Sequence, residues 1–583
     1  MVENQELAIQ TKETLETLLE AVLEMQNLLA TNQMNEFYVL ALDLKDALFT
    51  LRNIARTQKK EEVYVEVEKT ITNCIVSLDR IIGYAHIDKI KATQKIEFEL
   101  WILMRCLYIR FYFFSIIYPD EEKMRKWYQT EGKELCKNYY LEAARKTGEY
   151  KYDISIIITA YNKLEYTKMC VESVLSNLPK NLRCELILFN HGSSDGTKEY
   201  FESIAPDKQI DLEINGGGFR CTLFACEGKY CLGISNDVIM TPNSIDILYQ
   251  AFEENKDMAF AVPMTSNISN LQVPIKLNKD DDILLNTYQE MEGLEKYAKK
   301  INGYNFNKEE IRFRLCDPLA FTRLEYYDLP GCGSLYSYLL TRGFEWMFPD
   351  DFMSMYFRRL GYKNVLMKDI YCHHFGSVTI KDEKLQQKHY SQGRKEFLAV
   401  NGIDPLGKGF CWTYNLFKSL ICDKADSNRI LGINCGLGSD ILKIQQQIKE
   451  KTGNFKVKII NFTDRERYVV DLKGISDEVY MHKGWDDIIK HIKGKYDYIL
   501  VGDKVEKSKS YQKIISELYE CAKTLGTIII FVPETKPEIQ DWIVKRYENV
   551  VITEDCDIIY EIDDVITASM PRKGKYLFWT KSD

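Results

Sequence analysis

The chain has 583 residues, 45% hydrophobic and 28% charged, which is the balance of an ordinary globular protein with roughly three or four domains. A net charge of −9 argues against nucleic acid as the main partner. The start, MVENQELAIQTKETLE, lacks a basic segment and an apolar one, so no secretory signal is expected; the 16 cysteines, without paired CxxC motifs, read as reduced thiols in a cytoplasmic protein.

Residues 1–150 are expected to form a helical domain. Leu15, Leu18, Leu19, Val22 and Leu23 share one stripe, with glutamates opposite. The run 98–118, FELWILMRCLYIRFYFFSIIY, approaches transmembrane length, but Arg105 and Arg110 interrupt it. It reads as a buried helix spanning the domain, so no transmembrane segment is expected. Pro119-Asp120 then restarts a helix over DEEKMRKWYQTEGKELCKNYY. Scaffolding or oligomerisation is the expected role of this domain.

Residues 151–405 alternate apolar strand-like runs with helical stretches, the pattern of α/β architecture. The first strand ends Thr159-Ala160-Tyr161-Asn162, and a polar residue with a ring there can frame a nucleobase. The second ends at Asn190, followed by HGSSDGT, in which Asp195 is read either as a helix cap or as a ligand group. Gly216, Gly217 and Gly218 permit close backbone approach to a ligand, ahead of a predicted helix TLFACEG. Cys221, Cys226 and Cys231 read as small apolar filler.

The third strand ends Ser235-Asn236-Asp237. Asp237 can hold Mg²⁺ or Mn²⁺ against a diphosphate, with His373 and His374 as further donors after a later apolar run. Strands that deliver polar residues at their carboxyl ends build a ligand crevice, here read as a nucleotide-sugar site. Asp350 and Asp351, in FPDDFMSMYFRRLGY, begin a predicted helix and are the candidates for a general base; capping that helix is their other reading.

Together TAYNK, NHGSSDGT, NGGGF with ACEGKY, SND, PDDF with RRLGY, and HHFGS resemble a family 2 glycosyltransferase of GT-A fold. The resemblance implies an inverting transfer from a nucleoside-diphosphate sugar to a protein or glycan acceptor, with a divalent metal. It puts Thr159, Tyr161, Asn190, Gly217, Gly218 and Asn236 around the donor, Asp237 on the metal, and Asp350, or Asp351 at a register one residue on, as base. Pro349 stands where the family has a glutamate. The acceptor reading is surface-glycan or flagellin glycan assembly. A non-catalytic glycan- or partner-binding scaffold is the reading from another class.

The stretch NGIDPLGKGF has the proline and glycines of a linker. Residues 425–583 then resemble a class I methyltransferase, a Rossmann-like fold: RILGINCGLGS stands at the first glycine loop, and DIIYEI with KYLFWT reads as a terminal antiparallel pair. Gly432 takes the place of the acid before that loop, Asn434 that of its first glycine, and Asn461 that of the acid closing the second strand. S-adenosylmethionine binding is therefore not expected; a bifunctional glycosyltransferase/methyltransferase is the alternative.

Overall fold

The structure, a computed structural model, describes residues 5–57, 62–117, 120–127, 132–135, 138–215, 221–266, 268, 272, 291–325, 348–376, 390–391, 393–395, 397–398, 401–561 and 569–582. It opens with α1 (Gln5–Ala30), α2 (Met34–Thr57), α3 (Glu62–Ile87) and a long helix α4 (Lys89–Ile117). On α1, Leu15, Leu18 and Val22 are buried whereas Leu23 is 49% exposed, so the apolar stripe is one position narrower than predicted. Although α4 is long and apolar enough to cross a membrane, 82% of its most apolar window is buried within the protein. Ile102–Phe111 are buried on every side, as suits a helix with no polar face. Arg105 Nη2 donates to Leu135 O at 2.9 Å.

Beyond Asp120 the described residues are helical over Glu121–Lys126 and Gly132–Leu135, and α5 (Tyr139–Thr147) is a separate helix where one helix was predicted to run through. Asn138 caps α5 by accepting from the N–H groups of Tyr140 and Leu141, which gives this helix its own start.

The first sheet has nine strands among the described residues: β1 (Tyr152–Ala160), β2 (Cys184–Asn190), β3 (Lys208–Asp211), β4 (Gly228–Ser235), β5 (Val238–Ile239), β6 (Met258–Thr265), β7 (Glu309–Ile311), β8 (Leu319–Arg323) and β9 (Lys363–His374). Three helices matter for the site: α6 (Leu164–Ser176) after β1, α7 (Thr197–Ile204) after β2, and α8 (Pro349–Arg359) before β9. Strand order is β3-β2-β1-β4-β8-β6-β9-β5, with β7 on β9. The first four are parallel, and the order reverses between β1 and β4, the switch point at which open α/β sheets take ligands. The predicted helix TLFACEG is only a 3-10 turn, Cys221–Ala225. Cys226 and Cys231 are buried, as apolar filler would be.

The helical domain covers the open edge of this sheet. Glu99 Oε2 accepts from the N–H of Asp211 at 2.9 Å and from Lys95 Nζ at 2.5 Å, while Lys95 also reaches Asp211 Oδ2 at 3.1 Å. Asn73 Oδ1 accepts from the N–H groups of Glu213 and Ile214, so edge amides that would otherwise invite another chain are satisfied.

A second sheet comprises β10 (Arg429–Ile433), β11 (Lys458–Thr463), β12 (Glu478–Met481), β13 (Tyr496–Val501), β14 (Ala522–Pro533), β15 (Val551–Ile552), β16 (Cys556–Glu561) and β17 (Ser569–Thr580), ordered β12-β11-β10-β13-β14-β17-β15. The first five strands follow the doubly wound 3-2-1-4-5 order. The expected pairing of DIIYEI with KYLFWT is not what forms: β16 pairs antiparallel with residues 569–574, the first half of β17, whereas KYLFWT, the second half, pairs with β14 and β15. Two of its helices, α9 (Ser439–Thr452) and α10 (Glu466–Lys473), face the first sheet's domain. Lys443 Nζ of α9 meets Glu310 Oε2 of β7 at 2.8 Å, and Asp471 of α10 accepts from Arg359 of α8 at 3.0 and 3.1 Å. Burial opposes ionisation of Glu310, yet Arg312, Lys443 and Lys368 hold its carboxyl down at about 2.

Glu99 is fully buried between cations, and its removal takes from Lys95 one of its two carboxylate partners and from the buried Asp211 N–H its acceptor. Glu99→Ala is expected to destabilise the chain by about 3–5 kcal/mol, read as a lowered midpoint in thermal unfolding followed by circular dichroism.

Candidate functional site

The site lies at the carboxyl ends of β1 and β4, which run side by side with Thr159 opposite Ser235. Tyr161 follows β1 and keeps 39% of its surface exposed, and Thr159 is half-buried. Asn162 has φ +55°, a left-handed turn that an asparagine tolerates. Its N–H donates to Ser193 Oγ at 2.8 Å, and its Oδ1 accepts from the Ser194 N–H at 2.9 Å. The loops after β1 and β2 are thereby tied together.

Asp195 closes that tie. Its Oδ2 accepts from the N–H of Leu164, the first residue of α6, and its Oδ1 from Thr197 N–H and Oγ1 at the start of α7. One carboxylate caps two helices, so the capping reading of Asp195 holds. Asn190 is also committed: Oδ1 accepts from the Ser193 N–H at 2.9 Å, and Nδ2 donates to Asp211 Oδ1 at 3.3 Å. The amide expected to read a nucleobase is 2% exposed and braces the loop instead. Asn236 likewise donates to Thr167 Oγ1 and Asn162 O. Both asparagines shape the crevice from behind. Gly217 and Gly218 lie outside the described residues.

The polar pair at the crevice is Asp237 and His374. β5 pairs antiparallel with the end of β9, Val238 opposite His374, which brings His374 Nε2 to 3.4 Å from Asp237 Oδ2. Successive side chains of a strand point to opposite faces, and His373 accordingly turns to Ser266, with Nδ1 2.9 Å from Oγ. The expectation that both histidines join the acid fails for that reason. One carboxylate oxygen and one imidazole nitrogen 3.4 Å apart can share a cation at metal–ligand distances of about 2.1 Å. Residue chemistry and spacing fit a divalent ion, although the described residues contain no cluster of three or more protein ligands.

A relay of hydrogen bonds joins this pair to the acids of α8. Ser266 Oγ accepts from the His374 N–H; the neighbouring Thr265 N–H donates to Gln272 O. The buried Gln272 side chain clamps Cys316, accepting from its N–H at 2.7 Å and donating to its carbonyl at 2.8 Å. Leu315 N–H then reaches Ser354 Oγ on α8. Sequence reasoning missed Gln272 and Ser266, because no local pattern marks a residue whose partners are 44 and 107 positions away.

At the start of α8 the two aspartates diverge. Asp351 is 1% exposed and its Oδ1 meets Arg314 Nε at 2.5 Å, a buried ion pair that removes it as an accessible base. Asp350 remains half-buried and accepts from the Asp351 N–H at 3.0 Å. Burial raises the Asp350 carboxyl above the usual range, although Arg314 works against it.

The second sheet has its own switch point, at the ends of β10 and β13, and this crevice is occupied by the chain itself. The residues read as a linker form a strap: Lys408 O accepts from the Leu437 N–H at 3.0 Å, Gly409 O from the Ser439 N–H at 3.1 Å, and Phe410 O from Ser439 Oγ at 2.6 Å. Lys408 Nζ pairs with Asp503 Oδ2 at 2.5 Å. A further departure from the sequence reading lies in β11, which continues past Asn461 to Thr463, so that the acid after the strand is Asp464. Asp464 is ion-paired with Lys504. Asn461 sits mid-strand against Gly432, where a Cβ would stand 2.0 Å from its Oδ1. The amides of Leu437 and Ser439 are taken by strap carbonyls and Asp464 by a lysine, so these three groups, which would meet S-adenosylmethionine in this crevice, already have partners within the chain.

Residues 155–312 match the glycosyl transferase family 2 profile. A chondroitin synthase of Pasteurella multocida is 25% identical over 166 residues, 27% of this chain and 16% of that protein. An uncharacterized glycosyltransferase of Rickettsia prowazekii is 33% identical over 105 residues, 17% of this chain and 32% of that one. The chain thus spans less than a third of the length of these relatives. Among solved structures, a SAM-dependent O-methyltransferase from Thermotoga maritima is 15% identical, with 29% of this chain and 64% of that one covered at a TM-score of 0.21.

Gly409 has φ +76°, and a Cβ there would lie 2.5 Å from Cys435 O and 2.6 Å from Leu437 N. Gly409→Ala is expected to unseat the strap and raise hydrogen exchange at the Leu437 and Ser439 amides by about tenfold or more, read by exchange mass spectrometry at peptide resolution.

Proposed function

We propose that this chain, in which residues 155–312 form a family 2 glycosyltransferase domain, transfers a sugar with inversion from a nucleoside-diphosphate sugar to a protein or glycan acceptor. The observation that carries the reading is the Asp237–His374 pair at the first sheet's switch point, beside the exposed ring of Tyr161. Tyr161 and Thr159 flank the nucleobase; Asn190 and Asn236 hold the loops that surround it. A divalent cation held by Asp237 and His374 would neutralise charge on the departing diphosphate.

Asp350 removes the acceptor hydroxyl's proton as that oxygen attacks the sugar carbon. Its environment suits the task, because a carboxylate with a raised pKa is the stronger base. The acceptor belongs to surface-glycan or flagellin glycan assembly in the cytoplasm, and the likeness to a chondroitin synthase accords with a saccharide acceptor. The strap speaks against a second, methyl-transferring activity.

A panel of nucleoside-diphosphate sugars with Mn²⁺, scored for nucleotide release, tests the reading. Asp237→Asn and His374→Ala are expected to abolish metal-dependent release, and undiminished turnover of either variant would remove that residue from the site. Asp350→Asn is expected to slow transfer by about a hundredfold or more with donor binding retained. A base must be deprotonated to act, so wild-type activity should fall as pH drops through the raised Asp350 pKa, with an acidic limb above the usual carboxylate range.

A further inference from the structure

The strap does more than fill the second crevice: together with the first domain it borders an open cavity of about 410 Å³. Its lining includes Arg314 of the first domain, Trp412, Tyr414 and Asn415 that follow the strap, and Asp440 and Tyr576 of the second domain. The volume lies in the range of small-molecule sites, about 300–1,000 Å³. We infer that this cavity binds a neutral saccharide, the acceptor, and that the second domain has become the acceptor-binding half of the transferase. Identification of the ligand as the acceptor rests on the transferase reading above.

The cations in the wall are already neutralised. Arg314 pairs with Asp351 and Lys408 with Asp503, so an anionic ligand finds no uncompensated charge in either. Asp440 is likewise engaged, by Thr413 N–H at 2.6 Å, Thr413 Oγ1 at 3.0 Å and Tyr576 O–H at 3.4 Å. The N–H groups of Leu437 and Ser439, at the entrance to α9, are bonded to strap carbonyls, which leaves fewer of them for a phosphate or carboxylate. What remains is an aromatic surface beside two carboxylates, Asp440 and Asp557. Tyr414 is 40% exposed, and its ring lies 6.3 Å from that of Trp412, whose own face is covered by Lys443. A ring with an apolar face, next to carboxylate oxygens that repel anions and accept from hydroxyls, suits a ligand with C–H faces and hydroxyl edges.

Location supplies the second argument. Arg314 lines the cavity and its Nε holds Asp351, whose N–H donates to the Asp350 carboxylate. A saccharide in the cavity is therefore separated from the candidate base by one ion pair. The second domain also grips both ends of this arrangement, through Lys443 on Glu310 and Asp471 on Arg359 of the base-bearing helix. The strap that fills the second sheet's crevice would thus present, on its side toward the first domain, a site for the other substrate.

The test is saturation-transfer difference NMR on the full chain. The probes are methyl glycosides of glucose, galactose, N-acetylglucosamine and N-acetylgalactosamine, with S-adenosylhomocysteine as competitor. At least one neutral glycoside is expected to give a signal that Tyr414→Ala abolishes, Tyr414→Phe retains and S-adenosylhomocysteine leaves in place. Absence of signal from all four, a signal indifferent to Tyr414→Ala, or displacement by S-adenosylhomocysteine overturns the inference. Nucleotide release by the wild-type chain, measured in parallel, separates the two proposals. Release without glycoside binding sinks the cavity alone, whereas a Tyr414-dependent signal without release from any donor supports a saccharide site and sinks the transferase.

Discussion

A two-residue ladder governs the first domain's chemistry. Val238 and Ile239 pair antiparallel with His374 and His373, and this contact delivers an imidazole from the far end of the fold to the acid that follows β4. The register is unforgiving: a slip of one residue would turn His374 away and present its neighbour. The relay through Ser266, Thr265, Gln272 and Cys316 extends from the same ladder to the helix bearing Asp350. The Asp237–His374 pair and the helix bearing Asp350 are thus linked through one chain of contacts.

Buried charge does comparable work around the sheet. Lys95, Glu99 and Asp211 join the helical domain to β3, and Asp211 in turn takes the amide of Asn190. A desolvated ion pair adds little net stability, but losing one partner is costly, so the helical domain and the loop after β2 are fixed to each other. Glu310 with its three cations plays the same part toward the second domain.

The second domain keeps the order of a doubly wound sheet while its crevice holds a strap from its own chain. The amides of Leu437 and Ser439 need acceptors whether a cofactor is present or not, and carbonyls of Lys408 and Gly409 supply them permanently. Function has to be read from the site and not from the architecture that carries it.

Much of this was legible before any coordinates. Apolar runs ending in Thr159, Asn190 and Asp237 mark parallel strands with polar carboxyl ends, and Pro349 followed by two acids marks a helix start, because those signals are local. The limits of that reading are equally physical. Asn190 and Asn236 look like ligand groups in the sequence, yet their partners Asp211 and Thr167 are 21 and 69 residues away. Asp351 looks equivalent to Asp350 until Arg314 claims it. A run with proline and glycines looks like a linker until its carbonyls meet the start of α9. The sequence by itself determined the strands around the first site, the long amphipathic helices and the residue types that end them, since propensity and periodicity act over a few positions. Only the tertiary structure decided which of those residues are spent on one another, because burial and pairing depend on segments that meet far from where the chain lists them.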